Sequence, residues 1–192
     1  MRCTALERKL QYLGIALLSS VMLIGCDGNK TADTVEDESL ERIWVHDTLF
    51  KPKVVSTSDT FGSSVDYDND RLIVGIPLED SEQLTIVNDD NVPTDNNDPD
   101  SGAAYVYLKS GDEWVIEAFL KAPIAADQFG RDVAIEGNIA AVTSSSHVFM
   151  FHRNNGQWQH EATFASEQTG GDASYGSQVL VFGDRVAVSA HE

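Results

Sequence analysis

Beyond residue 26 this chain has no cysteine; its two, Cys3 and Cys26, both lie near the start of the 192 residues. The rest can therefore hold neither a disulfide nor a free thiol. Basic residues are also scarce, with 13 Lys and Arg against 31 Asp and Glu and a formal net charge of −18. That balance argues against nucleic acid and anionic lipid heads as partners, and leaves room for cationic partners or divalent metals. Only one long apolar run is present. It covers Leu13 to Ile24, and twelve residues fall short of the roughly 18 a spanning helix needs. Catalytic signatures are missing as well. There is no GxGxxG, P-loop or HExxH, and Ser144-Ser145-Ser146 lacks the glycines of a nucleophile elbow. His147 and His152 sit five apart on one expected strand, so they face opposite sides. No enzyme is expected from these residues; a hydrolase or lyase would need its catalytic groups in sequence further downstream.

What the chain does have is an internal repeat. Phe61-Gly62-Ser63-Ser64-Val65, Phe129-Gly130-Arg131-Asp132-Val133 and Tyr175-Gly176-Ser177-Gln178-Val179 open the same pattern, and a valine follows thirteen residues after each aromatic, at Val74, Val142 and Val188. Each segment holds two short apolar runs around a tight turn, Asn69-Asp70, Gly137-Asn138 or Gly183-Asp184. Asn, Asp and Gly tolerate the positive φ of two-residue hairpin turns, so each segment is expected to be a β-hairpin. A second hairpin follows in the first two repeats, through Ser110-Gly111-Asp112 to Trp114 and through Asn154-Asn155-Gly156 to Trp158. Trp44 precedes the first repeat in the same phase, so the chain begins with a last-strand element.

Four strands per unit is the count of a propeller blade. Leu72-Ile73-Val74 and Ile139-Ala140-Ala141-Val142 are unbroken apolar runs, as strands covered on both faces require. A sandwich with one wet face would alternate, so the expectation is an all-β propeller of stacked blades. The repeat phase of Trp44, Trp114 and Trp158 assigns them to blade packing before ligand stacking.

The Phe-Gly-x-x-Val pattern, its turn and the strand ending at Val74-Gly75-Ile76-Pro77 resemble the FG-GAP repeat. Ser101 to Tyr107 is similar to the strand that follows in bacterial versions. The resemblance implies a β-propeller of about seven blades, like that at the head of integrin α chains, with two to three blades in this stretch. It covers residues 44–192, and Phe61, Gly62, Phe129, Gly130, Tyr175 and Gly176 carry its motif. The second repeat has Thr143-Ser144-Ser145 in place of the Gly-x-Pro ending, and the third stops before its second hairpin. The chain is accordingly expected to be the N-terminal part of a longer protein whose loops bind a protein or glycan.

The front end reads as an address. Arg2, Arg8 and Lys9 precede the apolar run, which ends in Leu23-Ile24-Gly25-Cys26. That ending resembles the bacterial lipobox, which implies cleavage of residues 1–25, acylation of Cys26 and a membrane-anchored protein of the cell envelope. Removing three basic residues and Glu7 takes away a net +2 and leaves −20. Residues 26–42 are polar and acidic and read as a flexible tether, followed by the repeat domain from 43 to 192.

The first repeat is longer than the second. Phe61 to Trp114 spans 53 residues and Phe129 to Trp158 spans 29, an insertion of 24 placed at about 78–101. It contains eight Asp or Glu and no Lys or Arg. Oxygen-rich loops suit Ca²⁺, which makes Asp95, Asn97, Asp98 and Asp100 one candidate ligand set; a solvated acidic loop is the alternative. Asp66, Asp68 and Asp70 form a second candidate, since integrin-type repeats bind calcium in a related Asp-rich loop. Arg71 and Val74 depart from that pattern where it has Gly and the last Asp.

Overall fold

A computed structural model describes residues 48–54, 56, 58–124, 126–165 and 175–190. The signal segment 1–25, Cys26, the tether 26–42 and Trp44 lie outside the described residues. All regular structure within them is β. The first sheet takes β1 (Val65–Asp68), β2 (Arg71–Ile76), β3 (Ala103–Ser110) and β4 (Glu113–Leu120) in that order, all antiparallel. The second repeats it with β5 (Val133–Glu136), β6 (Ile139–Thr143), β7 (His147–Asn154) and β8 (Gln157–Ala165). A third sheet holds β9 (Val179–Phe182) and β10 (Arg185–Val188). Two four-stranded blades and a two-stranded one form the expected part of a β-propeller.

The turns follow from their residues. Asp68 pairs with Arg71 across Asn69-Asp70, and Asn69 has φ 53°. Gly137 and Gly183 hold the same place with φ 57° and 59°. Ser110 and Asn154 belong to their strands, so the outer hairpins also close in two residues, Gly111-Asp112 and Asn155-Gly156.

The Phe-Gly motif is a packing device between blades. Phe129 is fully buried in a core that takes Ile73, Val106 and Leu120 from the first blade and Val142, Phe149 and Trp158 from the second. Gly130 follows at φ 99°, and its backbone passes so close to Gly75 that a Cβ on either would meet the other strand's main chain. This is the physical reason for glycine both after the aromatic and in Gly75-Ile76-Pro77. In the next junction Thr143 stands where Gly75 stood. There the Thr143 hydroxyl accepts from the Asp132 N–H at 3.0 Å.

The strands β1, β5 and β9 lie side by side, one from each blade. In β5 the pairing with β6 turns the Val133 and Ile135 amides away from the sheet, toward the first blade. Such an edge needs acceptors. Ser64 Oγ accepts from Val133 N–H at 3.2 Å, Asp66 from Ile135 N–H at 2.8 Å, and Asp68 from Gly137 N–H at 2.7 Å. One junction on, Asp132 accepts from Val179 N–H at 2.7 Å and Glu136 from Gly183 N–H at 2.6 Å. Ala134 occupies the middle rung of that second ladder and offers no acceptor. Part of the chain's acidity is thus structural: Asp66 and Asp68 cap amides of the second blade, and Asp132 and Glu136 cap amides of the third.

Candidate binding surface

The insertion 78–101 is folded against the first blade. Its two legs meet where Gly102 N–H donates to Glu79 O at 2.8 Å and Asp98 N–H donates to Asp80 O at 2.8 Å. Lys121, 2 % exposed, ties them together from β4's end. Its ammonium donates to Glu79 Oε2 at 3.0 Å, Ser81 O at 2.9 Å and Ser101 Oγ at 2.8 Å. All three of its N–H donors are used, as a buried ammonium requires. Burial pushes the Lys121 pKa below the usual lysine range, and the Glu79 carboxylate opposes that shift without cancelling it.

Further out, Val87 exchanges both backbone hydrogen bonds with Phe119, at 3.0 and 2.8 Å. This covers part of β4, the blade's outer edge. Val92 is buried with Tyr105, Tyr107 and Phe119. Asn88 then reaches the second blade: its amide donates to Trp158 O at 3.1 Å and accepts from Trp158 N–H at 2.6 Å. The insertion is therefore clasped at its base, its middle and its far side.

Beneath it lies a second, partly buried charge cluster. In β4 the register slips by one between Val106 and Tyr107, leaving Glu117 as the extra residue of a bulge. Its carboxylate accepts from Arg71 Nε at 2.8 Å and from Trp158 Nε1 at 3.0 Å, and pairs with Arg153 Nη2 at 2.8 Å. Arg71 belongs to the first blade; Arg153 and Trp158 belong to the second. Burial would raise the Glu117 pKa, but the donors Arg71 and Trp158 and the charges of Arg71 and Arg153 outweigh it and hold the carboxyl below its ordinary range.

Between insertion and blades an open groove of about 650 Å³ has Asn88, Asp89, Asp90, Trp114, Glu117 and Gly156 among its lining residues. Trp114 is half-buried, edge-on to Phe50 at 5.2 Å and to Tyr67 at 6.1 Å. Asp90 pairs with Lys53 at 3.1 Å. Asp89 accepts from the Asn91 backbone and side chain, which lowers its pKa. An indole beside carboxylate and amide oxygens can stack on a ring and accept hydrogen bonds from hydroxyls or ammonium groups.

The residues singled out as cation ligands are placed differently from one another. Asp95 accepts from Glu82 N–H at 2.8 Å, and Asp100 donates its N–H to Asp80. Asp66 and Asp68 direct their carboxylates to the amides of the next blade, a role the sequence reading missed. Asp70 lends its backbone oxygen to Lys109 N–H. Among the described residues no three His, Cys, Asp or Glu are arranged to hold a metal ion. Trp158 is buried in the core between the two blades. Trp114 in the same phase is in the groove's lining. Sequence reasoning missed Glu117 and Lys121, although a signal existed. An acid stands three residues after each tryptophan, at Asp47, Glu117 and Glu161, and a lysine seven after two of them, at Lys51 and Lys121.

Residues 44–107, from the lead-in through most of β3, match the FG-GAP repeat family. No curated protein matches the chain.

Proposed function

We propose that this FG-GAP-repeat chain is a binding module of the bacterial cell envelope, held to a membrane through acylated Cys26, that takes a protein or glycan partner in the groove beside its insertion. The observation that carries the reading is the insertion itself. The first repeat has it and the second does not, and it is fastened at three places beside a groove lined by Trp114. Per-repeat insertions in repeat folds commonly form the binding face. The lipobox-like Leu23-Ile24-Gly25-Cys26 supports the anchor, and two acyl chains hold a protein firmly without a spanning helix.

Screening the chain against immobilised glycans and envelope proteins tests this directly. Any ligand found is then titrated against Trp114→Ala and a Cys26→Ser form. Trp114→Ala is expected to weaken binding by about tenfold or more, since stacking on an indole is worth on the order of 1–3 kcal/mol. Cys26→Ser should leave affinity unchanged and release the protein from membranes. Equal binding by Trp114→Ala would remove the groove from the account, and membrane retention of Cys26→Ser would remove the anchor.

A further inference from the structure

Asp59, just before the Phe61-Gly62 motif, carries a carboxylate that the fold encloses and leaves half unused. The residue is 8 % exposed. Its Oδ2 accepts from Ser56 N–H at 3.2 Å, while Oδ1 is buried and has no hydrogen-bond partner. Among the described residues no Lys, Arg or His is paired with it. A buried carboxylate ordinarily has both a counter-charge and a full set of donors. The backbone on either side is strained, with Ser58 at φ 83° and the β-branched Thr60 at φ 59°. This segment also fastens the insertion at its base. Asp59 O accepts from Leu78 N–H at 3.4 Å, and Ser56 Oγ accepts from the Asn96 amide at 3.2 Å, one bond to each leg. Asp127 holds the same place in the second repeat, which has no insertion, and it is exposed.

We propose that Asp59 is an acid-operated latch on the insertion: as a carboxylate it works against the closed base, and a proton on Oδ1 closes it. The charges around it set the direction. Asp80 on the first leg adds a like charge. The Tyr105 hydroxyl on β3, pushed up to about 12 mainly by burial, feels the charges of both Glu79 and Asp59. Lys121, the buried cation of this region, is held by Glu79, Ser81 and Ser101, and Lys53 by Asp90. Burial first, and Asp80 after it, push the Asp59 carboxyl above its ordinary 3.8, and the hydrogen bonds from Ser56 oppose them without cancelling. The folded chain therefore holds this proton more tightly than the unfolded one. Protonation stabilises the closed base, a contribution that is complete below 3.8 and is lost as pH rises through the higher folded value. The latch needs no ligand in the groove, so it stands apart from the binding reading.

Amide hydrogen exchange of the full chain in mild detergent, in wild type and Asp59→Asn over a range of pH, is the test. The amide keeps an acceptor for Ser56 and removes the charge. At neutral pH, Asp98 and Gly102, whose N–H groups join the two legs, should exchange slower in Asp59→Asn by about fivefold or more. The difference should close as pH falls to 3.8 and below, where the wild-type carboxyl takes its own proton. Comparing the two chains at each pH cancels what the other acids do. The Asp59 carboxyl carbon, followed by NMR in the wild type alone, should titrate above 3.8. Exchange in Asp59→Asn that is as fast as wild type at neutral pH would overturn the latch, as would a difference that ignores pH or a titration at or below 3.8. Calcium chloride that slows wild-type exchange as the variant does would also overturn it, by giving Oδ1 a cation in place of a proton.

Discussion

Glu117→Ala should cost about 3 kcal/mol of unfolding free energy, because it leaves the partly buried Arg71 and Arg153 without their counter-charge. In a chain of this size that is a fall in Tm of roughly 10 °C. The loss is large because one carboxylate serves both blades. Arg71 approaches from β2, while Arg153 and Trp158 arrive from the second sheet. Glu117→Gln should separate charge from shape. The amide keeps an acceptor for the Trp158 indole but cannot neutralise two guanidinium groups. Its cost should follow pH with a definite sign. A carboxyl held below its ordinary value of 4.5 contributes stability that is complete above that value and is lost as pH falls through the lower folded one. The gap between wild type and Glu117→Gln in thermal melts should therefore be widest at neutral pH and narrow in acid. A gap that is the same at both would mean that the ion pairs contribute nothing and the bulge alone matters.

Lys121→Met should be at least as costly, at about 3–5 kcal/mol, since Glu79 is left largely buried and unpaired. Here the damage is also local. Lys121 binds Ser81 O and Ser101 Oγ on the two legs of the insertion, so its removal should open residues 78–101 to proteases under native conditions. The pair itself contributes little net stability: the lowered Lys121 pKa says that burial of the charge outweighs what Glu79 returns. Combining Lys121→Met with Glu79→Gln should recover most of the loss in melting temperature. A double variant as unstable as the single one would show that Lys121 acts through its hydrogen bonds to the insertion and not through Glu79.

The blades were legible in the sequence because their signals are local and repeated. Asn69-Asp70 and Gly137-Asn138 specify turns, and thirteen residues from Phe61 or Phe129 lead to a buried valine. Gly75 and Gly130 could be recognised as motif glycines, but their mutual approach could not, since it joins residues of different blades. The acidic residues were the hardest to place. Asp66 and Asp68 sit in an Asp-rich turn that looks like a cation loop, yet they accept from amides 69 residues away. A backbone N–H left over at a strand edge leaves no mark in the sequence, so nothing local separates a ladder carboxylate from a metal ligand. The insertion was ambiguous for a related reason. Its acidic composition suggests solvation, while Val87, Asn88 and Val92, scattered among the acids, fasten it to Phe119, Trp158 and the first core. Glu117 could have been suspected from the acid at Asp47, Glu117 and Glu161, but its value depends on Arg153 arriving from the next blade.

The central claim is that neighbouring blades are joined along their innermost strands by side chains that cap backbone amides. Residue-resolved amide hydrogen exchange tests it most directly, in wild type and in Asp66→Ala. The account predicts that Ile135, whose amide has no backbone partner in its own sheet, is protected in wild type. It also predicts that Asp66→Ala removes that protection at Ile135 while Gly137, Val179 and Gly183 keep theirs. Rapid exchange at Ile135 in wild type, or protection indifferent to Asp66, would contradict the side-by-side arrangement of β1 and β5 on which the whole stack rests.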